Sequence, residues 1–200
     1  ISPRFTYHGY RFIEITGIDK PLPVGAVKGV VLSSIHELAS RYETSNTQVN
    51  QLWKNITWSS YGNFLSIPTD CPQRNERLGW AGDISVFSRT ATYLADVPQF
   101  LRRYLRSMRD VQRTDGRFPD IAPLGGGFGG LLWGSAGITV PWECYQQYGD
   151  TILLSEHYDA MKRYIQYIID NTIETETNLI VQTRSWGDLC DWLGLEDEKN

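Results

Sequence analysis

The 200 residues carry 19 Lys and Arg against 23 Asp and Glu, a net charge of −4 with no basic stripe, which argues against nucleic acid as a partner. No apolar run approaches the ~20 residues that span a bilayer, so no membrane segment is expected. Cys71, Cys144 and Cys190 are odd in number and widely spaced, which fits neither a disulfide framework nor a metal-ligand pattern. The length suffices to bury a core in one or two small domains. Seven Trp and eleven Tyr suit such a core, and they equally suit a carbohydrate site where rings stack on sugar faces. The chain opens at Ile1 in strand-like sequence without a Met or a signal peptide, so it reads as a piece of a longer protein and leaves export undetermined.

Residues 1–38 read as strands. The stretches 10–15 and 27–32 are rich in β-branched and aromatic residues, and Pro21, Pro23 and Gly25 mark a turn between them. Such a pair is marginal alone, so it belongs to a larger sheet. From about Asn46 the apolar period becomes helical: Ser45 is a candidate N-cap, and Val49, Leu52, Trp53 and Ile56 form a stripe. Asn55-Ile56-Thr57 matches a glycosylation sequon inside that helix. A loop over 67–82 follows, with Asp83 capping a helix to about residue 95 through Ile84, Phe87, Ala91 and Leu94. Pro98, suited to a first turn, opens a helix with Phe100, Leu101, Tyr104, Leu105 and Met108 on one face. Residues 113–138 form a long loop containing a glycine run at 125–130 and Trp133; loops of that length in compact domains are usually functional or disordered. It is read as a rim over a pocket, against the alternative of a flexible linker. Residues 152–169 are an amphipathic helix whose Tyr158, Met161 and Tyr164 belong to the core. A last segment, 186–192, again sets acids beside tryptophan and glycine through Trp186, Asp188 and Trp192. Helices joined by alternately short and long connections suggest α-hairpins.

The most informative stretch is 70–83, DCPQRNERLGWAGD. Three acids, two arginines, a tryptophan and two glycines in fourteen residues do not serve a core helix. Glu76, Trp80 and Asp83 would share a helix face at i, i+4 and i+7. Gly79 and Gly82 would each cost that helix about 1 kcal/mol, so a loop is preferred. The plain reading is a loop braced by ion pairs from Asp70 and Glu76 to Arg74 and Arg77. The functional reading is a sugar-cleaving pocket with carboxylates for proton transfer and an aromatic face for a pyranose ring. The two coexist, because arginines orient catalytic acids.

This string resembles the signature of bacterial α-L-rhamnosidases of glycoside hydrolase family 78, inverting enzymes with a six-hairpin (α/α)6 barrel. The resemblance extends upstream through residues 2–12, similar to the end of the β-domain preceding the barrel. It extends downstream through Val140-Pro141-Trp142 with Tyr145, Tyr148, Gly149 and Asp150. It implies a mainly α fold: a partial (α/α)6 barrel over 39–200, about half of one, after a few strands of an adjoining β-sandwich domain at 1–38. It implies Glu76 as general acid, with Asp70, Arg74 and Asp83 holding rhamnose hydroxyls and Trp80 in the pocket wall. Trp133, Trp186 and Asp188 resemble further sugar-contacting positions. The general base of the family comes from a later barrel helix; Glu174, Glu176 and Glu196 lack its context. The chain alone is therefore expected to be inactive and to expose helix faces that favour self-association. Two departures stand out. Asn75 replaces an acid common in the family, and Ser135 stands in a segment where an acid is frequent, which bears on substrate preference.

No cofactor is implied, and no metal: His8, His36 and His157 are scattered without ligand spacing. The expected partners are rhamnose-containing oligosaccharides or glycosides, and the family points to a bacterial protein, periplasmic or cytoplasmic. Near Asp70, Asp83 and Trp80, the Glu76 carboxyl is pushed toward its protonated form, and Arg74 and Arg77 oppose that. Competing readings are another six-hairpin glycosidase, such as an α-fucosidase, and a non-catalytic carbohydrate-binding fragment.

Overall fold

A computed structural model describes residues 2–127 and 130–181. Trp186, Asp188, Cys190, Trp192 and Glu196 lie outside the described residues. The described part is mainly helical. Helix α1 (Thr47–Asn63) is followed by a two-stranded antiparallel hairpin, β1 (Phe64–Leu65) and β2 (Ile67–Pro68). Then come α2 (Ala81–Leu94), α3 (Pro98–Asp110), the single turn α4 (Leu131–Gly134), α5 (Ala136–Tyr148) and α6 (Thr151–Asn171). The connections alternate as expected of α-hairpins: short between α2 and α3, long between α3 and α4, short between α5 and α6.

The ends of these helices follow from side-chain chemistry. Asn46, rather than Ser45, caps α1, because its Oδ1 reaches the amides of Gln48 at 2.9 Å and Val49 at 3.3 Å. Pro98 begins α3, where its missing N–H is no loss. Helix α5 ends on Gly149 in the left-handed conformation, φ 66°, and Asp150 at once caps α6 through the Leu153 amide at 2.9 Å. That adjacent stop and start folds α6 back on α5.

Helix α5 is the centre of the core, packing against α2, α3, α4 and α6. Leu101, Tyr104, Leu105 and Met108 of α3 are fully buried, as their spacing predicts. Phe118 lies over Gly137, stacks on His157 at 5.5 Å and meets Tyr164 at 5.3 Å. Tyr164 is core as expected; Tyr158, by contrast, faces outward at 60% exposure, because it falls on the flank of α6 away from Leu153, His157 and Ala160.

Residues 10–15 and 27–32 are not strands: no ladder forms there, and the one regular element is a 3₁₀ turn at Val24–Ala26. A strand needs a partner for its N–H and C=O groups and a face to bury. Here Phe12, Val30 and Val31 are exposed, with no such face among the described residues. What ties this segment to the helices is local: the Ser34 amide donates to the Phe64 carbonyl, Leu38 bridges Ala95, and the Ser66 amide reaches Ser34 Oγ. Thr57 of the sequon is buried and donates to the Trp53 carbonyl.

Candidate active site

The segment 70–80 is a loop closed at its base. The Asp70 amide donates to the Leu78 carbonyl at 3.0 Å, and the Leu78 amide donates to Asp70 Oδ1 at 2.7 Å. Asp70 thus fastens both ends of the loop, and residues 71–77 project from that ring. Arg77 is held at φ 55°, a region non-glycine residues seldom enter. Its guanidinium lies 4.3 Å from the Tyr7 ring centroid and its Nε donates to the Pro72 carbonyl. Arg77 therefore braces the loop rather than pairing with an acid. Gly9 passes so close that a Cβ there would lie 2.6 Å from Gln73 Cα. The amino-terminal segment thus docks on the tip of the loop.

Below the tip, residues 79–81 run antiparallel to 120–122. The Ala122 amide donates to the Gly79 carbonyl at 3.0 Å, the Ala81 amide to the Asp120 carbonyl at 2.8 Å, and Trp80 bridges Ile121. Gly79 is required here: a Cβ would stand 2.2 Å from the Ala122 carbonyl oxygen, and the fully buried Tyr104 donates its hydroxyl to the Gly79 carbonyl at 2.9 Å. Trp80, not Asp83, occupies the N-cap position of α2. The 79–81 pairing delivers the chain into helix three residues sooner than the cap chemistry of Asp83 predicts, so Asp83 lies in the first turn. Gly82 presents a bare face to the Trp133 indole, whose Cε2 would be 2.6 Å from a Cβ.

Glu76 is the focus of the polar contacts. Arg74 Nη2 donates to its Oε2 at 2.6 Å, and Trp80 Nε1 donates to its Oε1 at 3.2 Å. Oxygens of Asp70 and Glu76 and the Cys71 sulfur lie within 4.8 Å of one another. These three donors are metal-type ligands, but the carboxylates already accept from Leu78, Arg74 and Trp80, so the arrangement reads as two neighbouring acids held by the loop's own donors. The Glu76 carboxyl is held below its usual range, first by the hydrogen bond with Asp70, then by Arg74 and the Trp80 indole, with desolvation opposing them. The balance that the sequence leaves open between Asp70, Asp83 and Trp80 on one side and the arginines on the other thus falls toward the ionised form: hydrogen bonds to that form outweigh the loss of solvent. Asp83 shows the opposite shift. Protein crowding one side of an otherwise exposed carboxylate raises its pKa, and the charges of Asp70 and Glu76 add to this. Loss of solvent, together with Asp70, likewise pushes the Cys71 thiol up.

Asp70 and Asp83 face a groove of about 550 Å³ between α1 and α2, lined also by Asn55, Phe64, Ile84 and Phe87. Glu76 and Trp80 stand outside it on the loop. Trp133 is placed differently from an open wall residue: at 8% exposure it forms the floor under Gly82 and α2. Ser135 donates to the Leu132 carbonyl at 2.6 Å, occupied at the junction of α4 and α5. Asn75 is exposed at the tip of the loop. Sequence reasoning missed Tyr7, Tyr104 and Asp120 as supports of the site. Their only signals were a tyrosine two residues before a glycine, an apolar-face tyrosine, and an acid between proline and the glycine run.

The family model described as the bacterial alpha-L-rhamnosidase 6 hairpin glycosidase domain matches residues 37–200. The alpha-L-rhamnosidase of Streptomyces avermitilis is 41% identical over 199 residues, which cover 98% of this chain and 19% of that protein. The alpha-L-rhamnosidase of Alteromonas sp. (strain LOR) is 41% identical over 171 residues, 83% of this chain and 18% of that protein. The crystal structure of native rhamnosidase from Aspergillus terreus superimposes with a TM-score of 0.72 at 40% identity, covering 81% of this chain and 19% of that one. The S. avermitilis enzyme complexed with L-rhamnose gives a TM-score of 0.68 at 43% identity, covering 70% and 14%. The chain thus spans about a fifth of the length of the relatives it matches, and it belongs to the six-hairpin glycosidase family of bacterial α-L-rhamnosidases.

Proposed function

We propose that the intact protein hydrolyses terminal α-L-rhamnosides with inversion, and that Glu76 is its general acid. The observation that carries this is the convergence of Arg74, Trp80 and Asp70 on one accessible carboxylate, on a loop built to hold it. The rhamnose bound by the S. avermitilis relative supports the sugar class. In this reading residues 1–38 are the end of a β-sandwich domain and 39–200 the amino-terminal half of the catalytic barrel.

An inverting pair needs about 6.5–9.5 Å between carboxyls to admit a water. Asp70 and Glu76 are closer than that, within 4.8 Å, so Asp70 is not the base. It serves as the loop fastener and as an acceptor for sugar hydroxyls, and the base is a further carboxylate in another part of the intact protein. Glu76 must carry a proton to act, yet in the free protein it is held ionised. Sugar binding resolves this. A hydroxyl takes the guanidinium of the exposed Arg74, the ring excludes water above Trp80, and both changes return Glu76 toward protonation. Glu76 then gives its proton to the glycosidic oxygen as the C1–O bond breaks. Water attacks C1 from the opposite face and loses its proton to the base.

The test is hydrolysis of p-nitrophenyl α-L-rhamnoside beside the α-L-fucoside, with the anomer of the released sugar read by NMR. Cleavage of the rhamnoside to the β-sugar first supports the reading. Preference for the fucoside, or release of the α-sugar first, overturns it. The raised Asp83 favours a second assignment, with Asp83 as acid. That assignment stands if Asp83→Asn, and not Glu76→Gln, is rescued by a leaving group that needs no proton.

A further inference from the structure

Asp120 is 2% exposed, and a buried carboxylate is costly unless donors surround it. Here the glycine run supplies the surroundings. The Gly130 amide donates to Asp120 Oδ1 at 3.1 Å, and the Asp120 amide donates to the Gly126 carbonyl at 2.9 Å. Gly127 lies so close that a Cβ would stand 2.1 Å from Oδ2, on a backbone with φ +77°. The Gly125 amide donates to the Ile121 carbonyl at 3.1 Å. Gly126, Gly127 and Gly130 therefore do not behave as a free linker: each brings main chain against Asp120. The same residue has a second role through its backbone. Its carbonyl accepts from Ala81, and its neighbours Ile121 and Ala122 pair with Trp80 and Gly79. Beyond Gly130 the chain enters α4, whose Trp133 forms the floor under Gly82. Asp120 is the point where the acid loop, the start of α2 and the glycine loop are joined.

We propose that Asp120 is a positioning residue for the proposed hydrolysis: with its carboxylate held against Gly127 and Gly130, it holds residues 79–81, and through Trp80 the hydrogen bond that orients Glu76. The proposal rests on the assignment of Glu76 as acid. Asp120 does not line the groove, and it joins the acid loop through main-chain hydrogen bonds. An error of about 1 Å in such a support costs on the order of 10²-fold in rate.

The experiment takes the intact protein with Asp120→Asn, which keeps the shape and removes the charge, and Gly127→Ala, which crowds the same carboxylate. For each, kcat and KM on p-nitrophenyl α-L-rhamnoside are measured beside the melting temperature and the hydrogen exchange of the Ala81 and Ala122 amides. The expected result is a kcat lowered about 10²-fold with KM within about threefold of wild type. Exchange at Ala81 and Ala122 should quicken while the amides of α3 keep their protection. Unchanged kcat in the folded variants overturns the proposal, as does a loss that tracks only the fraction unfolded. If Asp120→Asn does not fold, Gly127→Ala decides alone by the same readings. An inactive wild-type protein refutes the functional reading instead. The exchange arm then decides whether Asp120 holds the 79–81 strand: faster exchange supports it, and unchanged exchange overturns it.

Discussion

The loop at 70–80 and the seam between α3, α5 and α6 treat a titratable group in opposite ways. In the seam, His157 is fully buried, stacked on Phe118, with Arg109 donating to its Nδ1 at 2.9 Å. That contact makes Nδ1 an acceptor and leaves the ring neutral, with its hydrogen on Nε2. Burial first, and then the Arg109 charge, hold its pKa down at about 4. On the loop, Glu76 keeps its charge at the surface, because Asp70, Arg74 and Trp80 stabilise the ionised form. Gly137 serves close packing against Phe118, whereas Gly79 serves a backbone rung beneath the acid. The comparison teaches that the seam supplies stability by excluding charge, and the loop retains charge that the seam-facing residues Tyr104 and Asp120 hold from below.

The sharpest test of this division is Glu76→Gln. It should lower kcat by about 10²–10⁴-fold, the usual worth of a general acid, while leaving the melting temperature close to wild type. The loss should shrink on a dinitrophenyl rhamnoside, whose leaving group needs little protonation. A matching loss of stability would break the distinction between the two regions. Leu105→Ala, in the seam at 0% exposure, should do the reverse. A cost of about 2–5 kcal/mol is expected in urea unfolding, with kcat per folded molecule retained.

His157 gives the seam a pH dependence of known sign. Its folded pKa, about 4, lies below the ~6.5 of the unfolded chain, so the unfolded state binds the proton more readily as pH falls. The full stability is present above about 6.5 and declines toward 4, by about 3 kcal/mol in all. Unfolding curves measured across that range should show the decline, and His157→Gln should flatten it. The smallest effect belongs to Arg74→Gln. Removing a donor that favours ionised Glu76 raises its pKa, so the alkaline limb of kcat/KM should move to higher pH. A shift to lower pH would remove Arg74 from the account of that acid.

Much of this was legible without coordinates. Pro98 and the apolar spacing behind it predict α3, the apolar spacing over 152–169 predicts α6, and the 70–83 string predicts an exposed acid loop. Those signals are local: a fixed φ, a periodic face, a run of charge and glycine. The strand-like stretches 10–15 and 27–32 misled because β-propensity describes a half-buried pleated surface, and no such surface is present among the described residues. Tyr158 misled because a helix stripe has flanks, and only packing shows which flank is covered. Asp120 was invisible because its partners lie in the glycine run and in residues 79–81, brought together only by folding.

The sequence by itself determined the helical class, the family and the identity of the acid loop, because each is written in short-range spacing and residue type. Tertiary structure decided three things: that Glu76 is held ionised while Asp83 is pushed the other way, that Trp133 is a floor, and that Gly126, Gly127 and Gly130 lie against the buried Asp120. Charge stabilisation and burial depend on distances between residues far apart in the chain, and no local pattern sets those distances.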